Sequence, residues 1–250
     1  MIKHLFIRQL LWCVFALASL IFCLGISWQA SKATNFLYGF WYQTLEINKV
    51  IIKNVPKNSQ GKRDFPIHDV KLHEKKFADI VQSIHQQGNG LADISYFNER
   101  AIKQKLLTNS EVQHLQDVAN LLDNVTKFWW GNLVFLLSLL VFYFRQLHLL
   151  KAESIRQMPT TKQKLISLAC FVFLVISMLK IWGFTQVFYY LHTVIFPSEH
   201  QWFFYYKDSL MASLMKAPDI FAAIAGQLML IALLLAVIID AALSRYQFNR

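Results

Sequence analysis

At 250 residues, with 55% hydrophobic and 15% aromatic residues and a mean hydropathy of +0.34, the chain departs from soluble globular proteins. Those carry about a quarter of their residues as charges; here the share is 16%, which marks an integral membrane protein. The formal net charge of +10 is spread over segments that flank apolar runs rather than gathered into one stripe, so no nucleic-acid partner is expected.

Leu5 to Trp28 is an apolar run interrupted only by Arg8 and Gln9, long enough for a hydrocarbon core that takes about 20 helical residues to cross. It exceeds the roughly 7 to 15 residues of a signal-peptide core and reads as an uncleaved anchor. From Gln29 to Lys127 the composition turns polar, with 13 basic and 10 acidic residues, and the stretch is too long for a connector. It reads as a folded, mostly helical insert. Asn35 to Val55 opens on Phe36, Tyr38, Phe40, Trp41 and Tyr42 and is expected along the membrane surface, turning at Pro56. Asn58 to Pro66 is a loop. Asp69 to Gln86 carries Phe77, Ile80, Val81 and Ile84 at the spacing of an amphipathic helix, and Gly88 and Gly90 supply its stop. Asp93 to Leu107 shows no decisive period.

Ser110 and Gln113 make a Ser-x-x-Gln capping pattern ahead of the stripe Val112, Leu115, Val118 and Leu122. The helix they predict carries His114, with Asp117 one turn on along the same face. Taken alone, that pair describes a solvated helix face as well as a site. Phe128 to Phe144 is a second span, entered through Trp129 and Trp130. Leu165 to Leu191 is a third, unusually long and containing Lys180, which lies near enough to the far surface to snorkel. Ala217 to Ser244 is the fourth, with Pro218 in its first turn. The expected fold is an all-α membrane protein, a four-transmembrane-helix bundle with the insert 29–127 between helices 1 and 2.

Nine basic residues of the short segments, Lys3, Arg8, Arg145, Lys151, Arg156, Lys162, Lys164, Arg245 and Arg250, fall on one side, against Lys207 and Lys216 on the other. The positive-inside bias then puts both termini in the cytoplasm, and the insert and Thr193 to Lys216 outside. Phe184 to Trp202, FTQVFYYLHTVIFPSEHQW, holds six Phe, Tyr or Trp residues in nineteen and is closed by Pro197. It sets His192 at headgroup depth on the same side as His114. An interfacial ring is the plain alternative for His192.

The fragment HEKKF at His73 puts Phe77 where a zinc protease has its second histidine, and Cys13, Cys23 and Cys170 all lie inside apolar runs. No metal and no other cofactor is expected. Nucleophile elbow and P-loop are both missing. His4, His68, His85, His148 and His200 lie in loops or flanks and read as solvated.

The order of spans and two local patterns resemble the lipoprotein intramolecular transacylase family. The matching residues are Glu111, His114, Asp117 and Val118 in SEVQHLQDV, and Phe184, His192, Phe196, Trp202, Phe203 and Pro218 further on. Leu191 stands where the family usually has Phe, and Tyr205 and Tyr206 where an Asp-Pro pair is frequent. The resemblance implies movement of an acyl chain from the diacylglycerol of a lipoprotein's N-terminal cysteine to that cysteine's own α-amino group. It also implies a diacylated lipoprotein partner at a bacterial cytoplasmic membrane, and His114 and His192 as the catalytic pair. Asp117, Glu111, Trp202 and Tyr38 would support the site or bind substrate, Asp117 by orienting the His114 ring. Serving one small headgroup, the two imidazoles should lie within about 10 Å, which a bend of the His114 helix near Asn120 to Lys127 would allow. Another outer-leaflet lipid acyltransferase or hydrolase, or a non-catalytic envelope scaffold, are the alternatives.

Overall fold

The structure, a computed structural model, describes residues 2–149 and 161–248. Lys151, Arg156 and Arg250, which enter the count of basic residues, lie outside them. In chain order the helices and strands are α1 (Ile2–Ala33), α2 (Tyr38–Thr44), α3 (Ile47–Asn54), α4 (Val70–Ile84), β1 (Ser95–Phe97), β2 (Lys103–Lys105), α5 (Asn109–Leu149), α6 (Thr161–Trp182), α7 (Phe184–Ile195), α8 (Leu210–Met215) and α9 (Asp219–Phe248). Four of them, α1, α5, α6 and α9, are long and apolar enough to cross a membrane. The protein is an all-α, multi-pass membrane protein, and the chain divides into two compact units.

The first unit, residues 1–27, 127–187 and 230–250, holds the apolar helices. In hydrocarbon a helix pair gains little from apolar burial, so close approach and interhelical hydrogen bonds decide how it packs. On α5, Asn132 donates to the Ala18 carbonyl at 2.9 Å and the Trp129 indole N–H donates to the Phe22 carbonyl at 3.1 Å. The Trp129 ring stacks on Phe22 with centroids 5.8 Å apart, and it fits because residue 25 is glycine. A Cβ on Gly25 would sit 1.9 Å from Trp129 Nε1. Lys164 on α6 pairs with Asp240 on α9 at 2.7 Å.

One expected element differs. The stretch 165–191 is not a single helix: α6 ends at Trp182, and Gly183 takes φ 80°, a left-handed conformation that side chains resist, before α7 begins. Lys180 lies in the last turn of α6, where a cation complements the partial negative charge of a helix end.

The second unit, residues 28–126 and 188–229, is the folded part of the insert together with the end of α7, the loop after it, α8 and the start of α9. Past α1 the backbone turns left-handed over Asn35, Phe36 and Leu37, at φ 50–55°. Each such residue costs about 1 kcal/mol or more, offset here by burial of Phe36 edge-on against Trp28 at 5.0 Å. Tyr38 and Tyr42 of α2 and Ile47 and Ile51 of α3 point inward, while Leu37, Phe40 and Ile52 stay exposed. Tyr38 stacks on Phe77 at 4.0 Å and donates its hydroxyl to the Leu214 carbonyl at 2.7 Å, tying α2 to α4 and α8. It is a core residue.

The amphipathic stripe of α4 is as the spacing predicts, and Asp69 caps the helix by accepting from Leu72 N–H at 3.0 Å. The undecided stretch after it is a two-stranded antiparallel hairpin with Tyr96 opposite Gln104.

Two histidines are tied into this unit by hydrogen bonds, one in its core and one half-buried. His73, fully buried, donates Nε2–H to the Pro66 carbonyl and accepts the Tyr42 hydroxyl on Nδ1, both at 2.8 Å. His85, expected in solvent, donates Nδ1–H to the Val81 carbonyl at 2.7 Å and accepts the Trp28 indole N–H at 3.0 Å. In each ring one nitrogen must be unprotonated, and burial holds both below the ordinary 6.5. Their folded values lie below the unfolded one, so their contribution to stability is complete above about 6.5 and is lost as pH falls through that value toward the folded ones.

The unfolding temperature in detergent should accordingly drop between pH 7 and pH 5, and the drop should shrink in His85→Gln. Gly25→Ala should cost about 1–3 kcal/mol through overpacking against Trp129, whereas Gly131→Ala, whose Cβ meets nothing within 4 Å, should be neutral or stabilising.

Candidate active site

The site is built from the first turns of α5, the last turns of α7 and the loop 196–209, all within the second unit. The start of α5 is fixed by Thr108 and Glu111 rather than by Ser110 and Gln113. Thr108 N–H donates to Glu111 Oε2 at 2.6 Å, and Glu111 N–H donates to Thr108 Oγ1 at 3.3 Å, a reciprocal capping box two residues upstream of the expected one. The other carboxylate oxygen of Glu111 accepts a hydrogen bond from the Ser209 hydroxyl. Ser209 in turn caps α8 by accepting from Ala212 N–H at 2.8 Å. Glu111 is 0% exposed, so its role here is to join α5 to α8.

One turn past Glu111, His114 points into an aromatic enclosure at 8% exposure. Its ring lies 5.0 Å from Phe196 and 6.0 Å from Phe204 and from His192, centroid to centroid. Its Nδ1 is sealed from solvent and has no hydrogen-bond partner. His192 reaches the same enclosure from α7. Phe188 at 4.1 Å, Phe196 at 5.1 Å and Trp202 at 5.2 Å surround its ring, and its Nδ1–H donates to the Phe188 carbonyl one turn back at 2.7 Å. The two imidazoles are therefore neighbours, well within the expected distance of about 10 Å.

They meet without a break in α5, which runs as one helix from Asn109 to Leu149 through the expected bend at Asn120 to Lys127. The short helix after Gly183 brings His192 to the site instead.

Both rings are held neutral. For His114, which precedes the apolar part of α5 by more than three turns, burial and then the neighbouring His192 lower the pKa to about 4, opposed weakly by Asp117. For His192, burial lowers it and the Phe188 carbonyl partly opposes. Trp202 stands at the site as expected. Asp117 does not orient the His114 ring: its Oδ2 accepts from His200 Nδ1 at 2.7 Å. His200, read from the sequence as solvated, is thus beside the site, and no local pattern signals it, because its partner lies 83 positions away. Tyr38 belongs to the core described above. Among the described residues, no three His, Cys, Asp or Glu side chains gather where they could hold a metal ion.

Fold and site together define a membrane-embedded protein with a sheltered pair of neutral histidines. The family model described as lipoprotein intramolecular transacylase Lit matches residues 11–217, and the chain belongs to that family. Among solved structures it is similar to a variant, with histidine replaced by arginine, of the membrane-integral lipoprotein intramolecular transacylase Lit from Bacillus cereus. That likeness has a TM-score of 0.62 and 14% identity, covering 99% of this chain and 96% of that one, and at this identity it speaks for the fold alone. No curated protein matches.

The contacts separate residues that hold the fold from residues that it could spare. Glu111→Ala leaves buried donors without an acceptor and should cost about 3 kcal/mol of stability, seen as loss of folded protein on size-exclusion chromatography. His192→Ala removes a ring that bonds only to its own helix, and should leave the unfolding temperature within a few degrees of wild type.

Proposed function

We propose that this protein moves an acyl chain from the diacylglycerol of a lipoprotein's N-terminal cysteine to the α-amino group of the same cysteine, leaving a lyso-form, N-acylated lipoprotein. His114 and His192 are its catalytic pair. The observation that carries this reading is the contrast between two neutral imidazoles 6.0 Å apart.

His192 gives its Nδ1 proton to the Phe188 carbonyl, so its other nitrogen, Nε2, is left with a lone pair. That atom is the base. On His114, a proton at the sealed Nδ1 would be a donor with no acceptor, so the proton belongs on Nε2, from which it can be hydrogen-bonded to an oxygen. That atom is the hydrogen-bond donor to the developing negative oxygen.

The amine nitrogen attacks the ester carbonyl. The N–C bond forms as the C–O bond to glycerol breaks; His192 Nε2 takes one proton from nitrogen and returns it to the departing glycerol oxygen, which His114 Nε2–H stabilises by a hydrogen bond. Both rings are then neutral again. Nucleophile and ester share one substrate, so holding the two together lowers much of the barrier, and the histidine pair adds a further factor of about 10² to 10⁴.

The family match supports a lipoprotein as substrate. The basic residues flanking the spans support cytoplasmic termini and a site at the outer leaflet, and the family match supports a bacterial cytoplasmic membrane as its place.

Expressed in a host that makes diacylated lipoproteins, the chain should give lipoprotein N-termini of unchanged total acyl mass with one chain on nitrogen, by mass spectrometry. Loss of an acyl mass without N-acylation would indicate a hydrolase instead. Alanine at either His114 or His192 should lower the conversion rate by about 10² or more. Cysteines at the exposed positions Gln60 and Ser198 should label with an impermeant reagent from outside, and one at Lys162 should not; labelling at 162 would overturn the orientation.

A further inference from the structure

The loop between α7 and α8 carries three rings of the enclosure: Phe196 and Phe204 beside His114, and Trp202 beside His192. Within the loop the short-range hydrogen bonds are local. His200 N–H donates to the Pro197 carbonyl at 3.1 Å, and the Gln201 side chain donates to the Phe203 carbonyl at 3.0 Å. Neither reaches another element. Over residues 196–204 the contact that does is His200 Nδ1–H to Asp117 Oδ2, 2.7 Å long, with side chains 25% and 16% exposed; the far end of the loop is held separately, where Lys207 O and Asp208 Oδ1 accept from Ser59 and Ser209 donates to Glu111. Asp117 sits one turn beyond His114 on α5, so this bond joins the helix of one reactive histidine to the loop that walls the other.

We infer that Asp117 and His200 are a positioning pair that holds the Trp202 loop against α5 and so keeps the histidine enclosure closed. The inference builds on the proposed reading of His114 and His192 as the reactive pair. A hydrogen bond to a carboxylate is about twice as strong as one between neutral groups and is directional. Placed in the 196–204 half of the loop, away from the ties at residues 206–209, it fixes the loop at the point between Phe196 and Trp202. His200 acts here through the wall and touches no reacting atom. Any side chain that donates to Asp117 over the same distance should therefore serve, which separates this role from proton transfer.

The test reads the wall directly. In the detergent-solubilised full chain, the rate of carbethoxylation at His192 by diethyl pyrocarbonate is followed by peptide mass spectrometry, with acyl transfer to a diacylated lipopeptide measured in parallel. His200→Ala and Asp117→Ala should each raise the His192 modification rate about tenfold, matching the loss of one charge-assisted hydrogen bond. The double variant should go no further than either single one. His200→Gln and Asp117→Asn keep a donor and an acceptor, and should restore both the shielding and most of the transfer rate.

An unchanged His192 rate in both alanine variants, or a His200→Gln variant as open as His200→Ala, overturns the pair. Should the alanine variants not fold, His200→Asp alone should expose His192 and its combination with Asp117→His should shield it again; failure of that exchange also overturns the pair. Shielding that behaves as expected in a protein with no acyl transfer leaves the positioning pair standing and removes the proposed reaction.

Discussion

Two imidazoles whose centroids are 6.0 Å apart inside a wall of phenylalanine and tryptophan cannot both carry charge. Burial removes the water that would stabilise an imidazolium, and a second one at that distance would repel it. The neutrality of the pair is the constraint on which the rest of the site depends. It explains why the nearest carboxylate on α5, Asp117, is engaged by His200 and not by His114. A carboxylate on the His114 ring would favour the imidazolium and remove that neutrality. It explains also why each ring is oriented by a carbonyl or by its hydrocarbon surroundings, which set a tautomer without adding charge.

The second unit holds this arrangement by pairing its buried polar groups with one another. Glu111, Ser209, His73 and His85 each have their hydrogen-bond partners inside the unit. A buried polar group without a partner costs free energy, and His114 Nδ1 is one of four such atoms among the unit's described residues, with Asn35 Oδ1, Asn58 Nδ2 and Asp64 Oδ1. In the first unit, direct contact of Trp129 and Asn132 with backbone carbonyls of α1 takes the place of apolar burial.

The four apolar helices were legible because twenty apolar residues in a row admit few other readings, and the α4 stripe because its period is regular. His114 and His192 could be paired from residue type, side of the membrane and family resemblance. What escaped sequence reading depends on partners distant in the chain or on backbone geometry. Thr108 and Ser110 both precede an acceptable third residue, and only the burial of Glu111 against Ser209 selects the first. Gly183 resembles any glycine in an apolar run until its φ is known. Tyr38 lay in an aromatic cluster that reads as interfacial, although its ring stacks in the core on Phe77. His200 and Asp117 each look ordinary alone.

The carboxylate of Glu111 serves two helices at once, completing the cap of α5 and holding the hydroxyl that caps α8. The two helix starts are therefore thermodynamically linked. Fraying either one deprives the other of its cap, so the first turn of α5 and the whole of the six-residue α8 open together or not at all. Helix ends ordinarily exchange their amide hydrogens quickly. This corner, one turn from His114, should exchange only when the larger cooperative unit opens, and it gives His114 a rigid base on a helix that would otherwise begin with a frayed turn.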